Sequence, residues 1–252
     1  MKVDQYLQRI GFDDTKEINL ETLHQLQLQH MLHVPFENLD VIYNVPIPLD
    51  IETYYNKIVL NQRGGFCYEL NGLFNWLLQK RGFKSHFISA TINRPDGSWA
   101  KEGSHAAQIV ELDQPYLVDV GFGDSVRMPI PLTGETREDI SGVYRAINVR
   151  KNIFDLQRAE GENKWNTLFR FDITPRKLTD FEEASHFNQT SPKSHFTQKE
   201  IVSLATPDGR MTLSGNSLIV TRDGEKEKTT VNSSDKLSVL ENYFGINLHY
   251  AV

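Results

Sequence analysis

The single thiol in the sequence, Cys67, follows Arg63-Gly64-Gly65-Phe66 and opens a segment with the apolar spacing of a buried helix. Amides at a helix start have no acceptor inside the helix, and they favour thiolate over thiol. That help is limited to roughly 0.3–1 kcal/mol in most settings. Taking a free thiol from about 8.5 to well below 7 needs about 2 kcal/mol or more. A cationic partner should supply the rest, and histidine is the usual one. The histidines are His24, His30, His33, His86, His105, His186, His195 and His249. His105 stands out because it begins a β-like run after the glycine-containing turn Glu102-Gly103-Ser104, so a rigid element can project its ring. A third group should orient the imidazole. Asp119 sits in an apolar run, beside Leu117, Val118 and Val120, where a carboxylate is costly unless paired. A hairpin across Asp113–Pro115 would bring it to His105. Cys, His, Asp in that order is the arrangement of a thiol-based acyl-transfer triad. Taken singly, each has a plain structural reading: a lone buried cysteine is usually a small core residue. Spacing alone leaves that reading open.

These residues need positioning elements. Val3–Ile10 has helical spacing, with Val3, Tyr6, Leu7 and Ile10 on one side. Asn19 is placed to cap a helix to about Leu32, and Asp50 another from Ile51 to Leu60. Residues 61–65 form a breaker loop, because Gly64 and Gly65 do not sit inside a helix. Phe66 to Lys80 is the buried helix behind Cys67, ended by Gly82. From Ser85 the period changes. His86–Asn93, His105–Leu112, Tyr116–Phe122, Val143–Val149, Ile153–Arg158 and Trp165–Asp172 read as strands of an antiparallel sheet or barrel. Lys177–Phe187 reads as a helix, followed by a polar stretch to His195. Strands at Ile201–Thr206, Met211–Leu213, Ser217–Thr221 and Lys228–Val231 and a helix Ser234–Phe244 close the chain. The expected class is α+β: an N-terminal helical bundle over 1–85, an antiparallel β-barrel over 86–188, and an interdomain segment with an α/β lid over 189–252.

Composition narrows the function. A net charge of −6 argues against nucleic acid as the main partner, because phosphates need a basic surface. It leaves room for a small anionic ligand in a local basic pocket. One cysteine permits neither an intrachain disulfide nor a multi-cysteine zinc site. His30 and His33 have metal-like spacing without an acidic partner, so no metal is expected. The first residues lack a signal-peptide profile, and the densest apolar run, Leu73–Leu78, is too short for a membrane span. A cytoplasmic location follows as an expectation.

Five local motifs, in order along the chain, resemble the arylamine N-acetyltransferases: Val34-Pro-Phe-Glu-Asn-Leu39, Arg63-Gly-Gly-Phe-Cys-Tyr-Glu-Leu-Asn71, Ser104-His-Ala-Ala-Gln-Ile-Val110, Val118-Asp-Val-Gly-Phe-Gly123 and Thr190-Ser-Pro-Lys-Ser-His-Phe196. The resemblance implies a bundle, barrel and lid in that order. It implies ping-pong acetyl transfer from acetyl-CoA, a co-substrate rather than a bound cofactor, to an aromatic amine or hydrazine, and a role in xenobiotic metabolism. Carried over by position, Cys67 is the nucleophile, His105 the base and Asp119 its orienting partner. Phe36 and Phe122 become walls of the acceptor pocket. Coenzyme A sites transfer less well by position; the polar segment Thr190–Phe196 offers hydroxyls and Lys193 to a pantetheine or phosphate, and Gly103 lets a ligand approach the backbone, so Gly103, Lys193 and Ser194 are the expected coenzyme A contacts. Glu37 and Arg63 read as a buried ion pair bracing the cysteine loop. Homodimerisation stays open. So do two other functions: a cysteine hydrolase or amide synthase of the same triad class, and a catalytically silent binding protein on that fold.

Overall fold

In the computed structural model the chain is described over residues 1–13, 17–161 and 164–248; His249 lies outside. The N-terminal part is helical: α1 (Val3–Arg9), α2 (Leu20–His33), a two-residue strand β1 (Phe36–Glu37), α3 (Leu39–Ile42), α4 (Ile51–Tyr55) and α5 (Cys67–Lys80). The caps are side-chain carbonyl or carboxylate oxygens. Asn19 accepts from the Thr22 amide at 2.8 Å, and Asp50 from the Thr53 amide at 2.7 Å. α4 does not continue as one α-helix to residue 60; it loosens into a π-helical turn over Asn56–Leu60. Gly82, at φ +95°, turns the chain out of α5.

The middle of the chain is an antiparallel sheet: β2 (Lys84–Ile92), β3 (His105–Glu111), β4 (Pro115–Val118), β5 (Ile130–Pro131), β6 (Arg137–Asp139), β7 (Gly142–Arg150), β8 (Ile153–Ala159) and β9 (Trp165–Arg176). Its order is β5-β4-β3-β2-β9-β8-β7-β6, and β5 returns close to β7, giving a nearly closed barrel. Next come a 3₁₀ turn, Leu178–Phe181, and α6 (Glu182–Thr190). The helix expected from Lys177 therefore starts five residues later. Asp180 accepts from the Lys177 amide at 2.9 Å, which favours the tighter opening turn.

A second antiparallel sheet contains β10 (Ile201–Thr206), β11 (Gly209–Ser214), β12 (Ser217–Arg222) and β13 (Glu225–Thr230), with α7 (Lys236–Phe244) after it. Its first strand is β1, which pairs with β10 through Phe36↔Ser203 and Glu37↔Val202. Sequence reading missed this pairing, because two residues carry no periodicity.

The core has three apolar clusters. One surrounds α5, with Tyr6, Leu23, Tyr54, Phe66, Phe74 and Leu77 buried. One fills the barrel, with Ile88, Ile109, Leu156, Phe169 and Phe171. The third joins the second sheet to α7 through Val202, Leu213, Leu240 and Phe244. Each such side chain contributes roughly 1.5–3 kcal/mol of burial. These clusters fix α5 against the barrel. Among the described residues no helix is long and apolar enough to cross a membrane.

Candidate active site

Cys67 is the first residue of α5 and is 2% exposed. The turn before it is braced from two sides. The Glu69 carboxylate accepts the Phe66 amide at 3.0 Å, which satisfies a free N–H at the helix start. The glycine loop docks on residues 35–37, with the Glu37 amide donating to the Gly65 carbonyl at 2.9 Å. Gly64 is required by space: a Cβ there would lie 2.1 Å from the Pro35 carbonyl oxygen.

Glu37 and Arg63 are in contact, as an Nη2–Oε1 pair at 2.7 Å. They belong to a larger buried cluster that sequence reading did not find. Arg63 also holds Asp40 at 2.9 Å, while Lys57 Nζ reaches Asp40 at 2.7 Å and Glu69 at 2.8 Å. Burial by itself would lower Lys57, but the attraction of Glu37, Glu69 and Asp40 outweighs it and raises it. Glu69 is pushed up to about 7, chiefly by burial and further by Glu37, against the pull of Lys57 and the Phe66 amide. Its folded value thus exceeds the unfolded one of about 4.3. The folded state binds that proton more tightly, so stability is greatest below the unfolded value and falls as pH rises through about 7. Glu69→Gln should remove this slope. From pH 5 to 7.5, urea melts of the wild type should lose about 2 kcal/mol relative to the variant. Parallel pH profiles would mean that Glu69 is not the group titrating.

His105 opens β3, and its Nε2 lies 2.7 Å from Asp119 Oδ2. Burial would lower the imidazole. The charge and hydrogen bond of Asp119 outweigh that, the Cys67 thiol adds a further hydrogen bond, and the ring is raised to about 10. Asp119 is lowered: burial opposes ionisation, but the His105 charge and hydrogen bond, Asn71 and the Gly121 amide prevail. Both shifts describe an imidazolium–carboxylate pair.

Asp119 is not in a strand, contrary to expectation. β4 ends at Val118, and Asp119 Oδ1 turns the chain by accepting the Gly121 amide at 2.8 Å. The loop then crosses the start of α5 closely. A Cβ on Gly121 would lie 2.8 Å from Cys67 Cα. Asn71, one helical turn beyond Cys67, locks the crossing. Its Nδ2 donates to Asp119 Oδ1 at 2.8 Å and to the Ala106 carbonyl at 2.7 Å, and its Oδ1 accepts the Val120 amide at 3.0 Å. Its i+4 spacing from Cys67 was the available signal.

Cys67 and His105 line one cavity of about 760 Å³. Phe36, Phe122 and Ser194 line it too. Phe122 meets the His105 ring edge-on, with centroids 5.6 Å apart. The Ser194 hydroxyl is already committed: it donates to the Asn188 carbonyl and accepts from the Phe196 amide. The structure does not bring Lys193 or Gly103 to the cavity. Lys193 is an exposed turn residue whose amide donates to Ser191 Oγ. Gly103 is buried, and its carbonyl accepts the Tyr68 hydroxyl at 2.8 Å. The cavity's cations lie elsewhere, on residues such as Arg127 and Arg210.

The chain is similar to known proteins over nearly its whole length. The N-acetyltransferase family model matches residues 19–252. The arylamine N-acetyltransferase of Mycolicibacterium smegmatis is 34% identical, over 98% of this chain and 93% of its own. Arylamine N-acetyltransferase 2 of Mesocricetus auratus is 31% identical, over 98% and 95%. Among solved structures, the Bacillus cereus arylamine N-acetyltransferase with a Cys-His-Glu triad superposes with a TM-score of 0.92 at 27% identity, over 98% of this chain and all of its own. The Mycobacterium marinum enzyme in complex with CoA superposes at 0.89 with 30% identity, over 98% and 93%.

Proposed function

The chain belongs to the arylamine N-acetyltransferase family, and from that premise we propose ping-pong acetyl transfer from acetyl-CoA to an aromatic amine or hydrazine through an acetyl-Cys67 intermediate. The observation that carries the reading is that Cys67 and His105 share the wall of one cavity, with Asp119 held 2.7 Å behind the imidazole.

Cys67 attacks the thioester carbonyl as a thiolate, its proton held by His105. The Cys67 amide, free of any helical acceptor, is placed to donate to the oxyanion. Collapse breaks the bond to coenzyme A, and the departing thiolate takes the proton from His105. The acetyl group is then on Cys67. The amine attacks the acetyl carbonyl, its proton passes to His105, and the Cys67 thiolate leaves to restore the starting pair. Asp119 never contacts substrate; it holds the ring and stabilises the imidazolium. Phe36 and Phe122 offer the apolar surface that an aryl ring needs. In this reading residues 1–85 carry the nucleophile, 86–188 its two partners, and 189–252 cover the cavity. The β1–β10 pairing ties the first part to the last.

Intact-mass measurement after incubation with acetyl-CoA tests the reading. One acetyl group should appear on Cys67 and vanish when an aniline is added, with N-acetylaniline formed in equal amount. Varying both substrates should give parallel double-reciprocal lines. Unmodified enzyme with intersecting lines would mean direct transfer in a ternary complex. Loss of the acetyl group to water at the same rate with or without amine would favour a hydrolase.

A further inference from the structure

The cavity extends past the triad to a wall of guanidinium groups. The chain is acidic overall, with a net charge of −6. Yet the described residues lining the cavity include Arg94, Lys101, Arg127, Arg158, Arg210 and Lys226 against the acids Asp124 and Asp208. An excess of cations concentrated in a cleft of an acidic protein focuses the field on an anion.

Two of these side chains are built into the fold rather than hung from it. Arg127 is 3% exposed, and it donates to the Thr206 carbonyl at 2.6 Å and to the Gly209 carbonyl. Its Nε is sealed from solvent with no hydrogen-bond partner among the described residues. The Arg210 side chain is 11% exposed. Its Nη1 donates to Ser203 Oγ at 3.0 Å, and its Nε faces Asp124 Oδ1 at 3.2 Å. Nη2 is buried without a hydrogen-bond partner among the described residues, while Nε has its ion pair with Asp124. Asp124 also faces Arg158 Nη1, at 3.6 Å. Asp124, with its side chain 61% exposed, is thus shared by Arg210 and Arg158, while Arg127 is attracted first by Asp139 and then by Asp124.

Leaving charged donors such as Arg127 Nε and Arg210 Nη2 buried and unsatisfied is unfavourable. Burial lowers Arg210, with Asp124 opposing, yet a guanidinium in a protein keeps its charge. Its planar fork matches the oxygens of a carboxylate or phosphate. We propose that Arg210, with Arg127 and Arg158 beside it, forms an anion subsite of this cavity that holds the acidic group of a substrate. Two sources share that chemistry: a phosphate of the acyl donor and a carboxylate on the aryl ring of the acceptor. The inference rests on the acetyl-transfer reading and adds the group that the far wall recognises.

The test is direct binding by calorimetry, which does not depend on turnover. The probes are pyrophosphate, coenzyme A and dephospho-coenzyme A on one arm, and 4-aminobenzoate against aniline on the other. Arg210→Gln should weaken the acidic probes of one arm by about tenfold to a hundredfold, while aniline binding changes less than threefold. Loss on the first arm assigns the subsite to the donor, and loss confined to 4-aminobenzoate assigns it to the acceptor. Arg210→Lys keeps the charge without the fork and should fall between wild type and Arg210→Gln; it decides the matter if the glutamine variant does not fold. Acidic probes binding within threefold of wild type in a folded variant would overturn the subsite. An absent acetyl group on Cys67 would instead overturn the reaction, with these binding results unaffected.

Discussion

Cys67→Ala removes acetyl transfer, with an expected loss on the order of 10⁴-fold or more, while the protein stays folded. The size follows from the chemistry. Loss of a covalent nucleophile takes away the intermediate itself, and the partners left behind have nothing to activate. His105 and Asp119 remain paired at 2.7 Å, but they hold no thiol beside the carbonyl. Stability should change little. The sulfur is buried, and its removal leaves a space smaller than one side chain, costing about 1 kcal/mol and a few degrees in Tm. α5 keeps its start, because the Glu69–Phe66 contact and the glycine loop do not involve the thiol. The chain has one cysteine, so iodoacetamide labelling reports on this residue alone. The check is turnover of an aniline with acetyl-CoA, with circular dichroism melting as the folding control. An alanine variant that retained more than a few per cent of turnover would end the assignment of Cys67 as nucleophile.

Much of this was legible in the sequence, for local reasons. Asn19, Asp50 and Gly82 mark helix ends because capping and positive φ are decided within a few residues. The hairpin from β3 to β4 follows from two apolar runs around a short turn. What stayed hidden depends on contacts between distant segments. β1 exists because β10, more than 160 residues later, offers it an edge. Lys57 and Asp40 look like surface charges until the cysteine loop folds over them. Asn71 ends the motif that runs from Arg63, but its role needs the Asp119 loop to cross α5. Lys193 offers its charge from a polar segment, yet it turns outward, and Arg210, inside a short strand, turns in. Residue type along the chain does not reveal which face of a lid strand meets a cavity.

Asp119→Asn is the second large effect, expected at about 10²–10³-fold in turnover with the fold retained. The hydrogen bonds around the carboxylate decide how the amide must sit. Oδ1 accepts from Asn71 Nδ2 and from the Gly121 amide, both at 2.8 Å. Two donors converge there, so the oxygen of the new amide takes that position and its NH₂ group faces His105. That group donates, so His105 Nε2 must accept and the ring proton moves to Nδ1. The nitrogen that should take the thiol proton is then already protonated, which is the wrong tautomer. The charge effect acts in the same direction. His105 is raised to about 10 largely by Asp119, and asparagine leaves burial to pull the ring down. A raised histidine stays protonated until pH passes its folded value, so wild-type activity should hold through neutral pH and decline near pH 10. In the variant the alkaline decline should move to lower pH, with KM for the amine changed little because Asp119 does not touch it. The pH dependence of kcat/KM, set beside the rate of Cys67 alkylation across the same range, measures both effects. A variant with near wild-type turnover and an unmoved alkaline limb would leave Asp119 as a turn-forming acid and remove it from the triad.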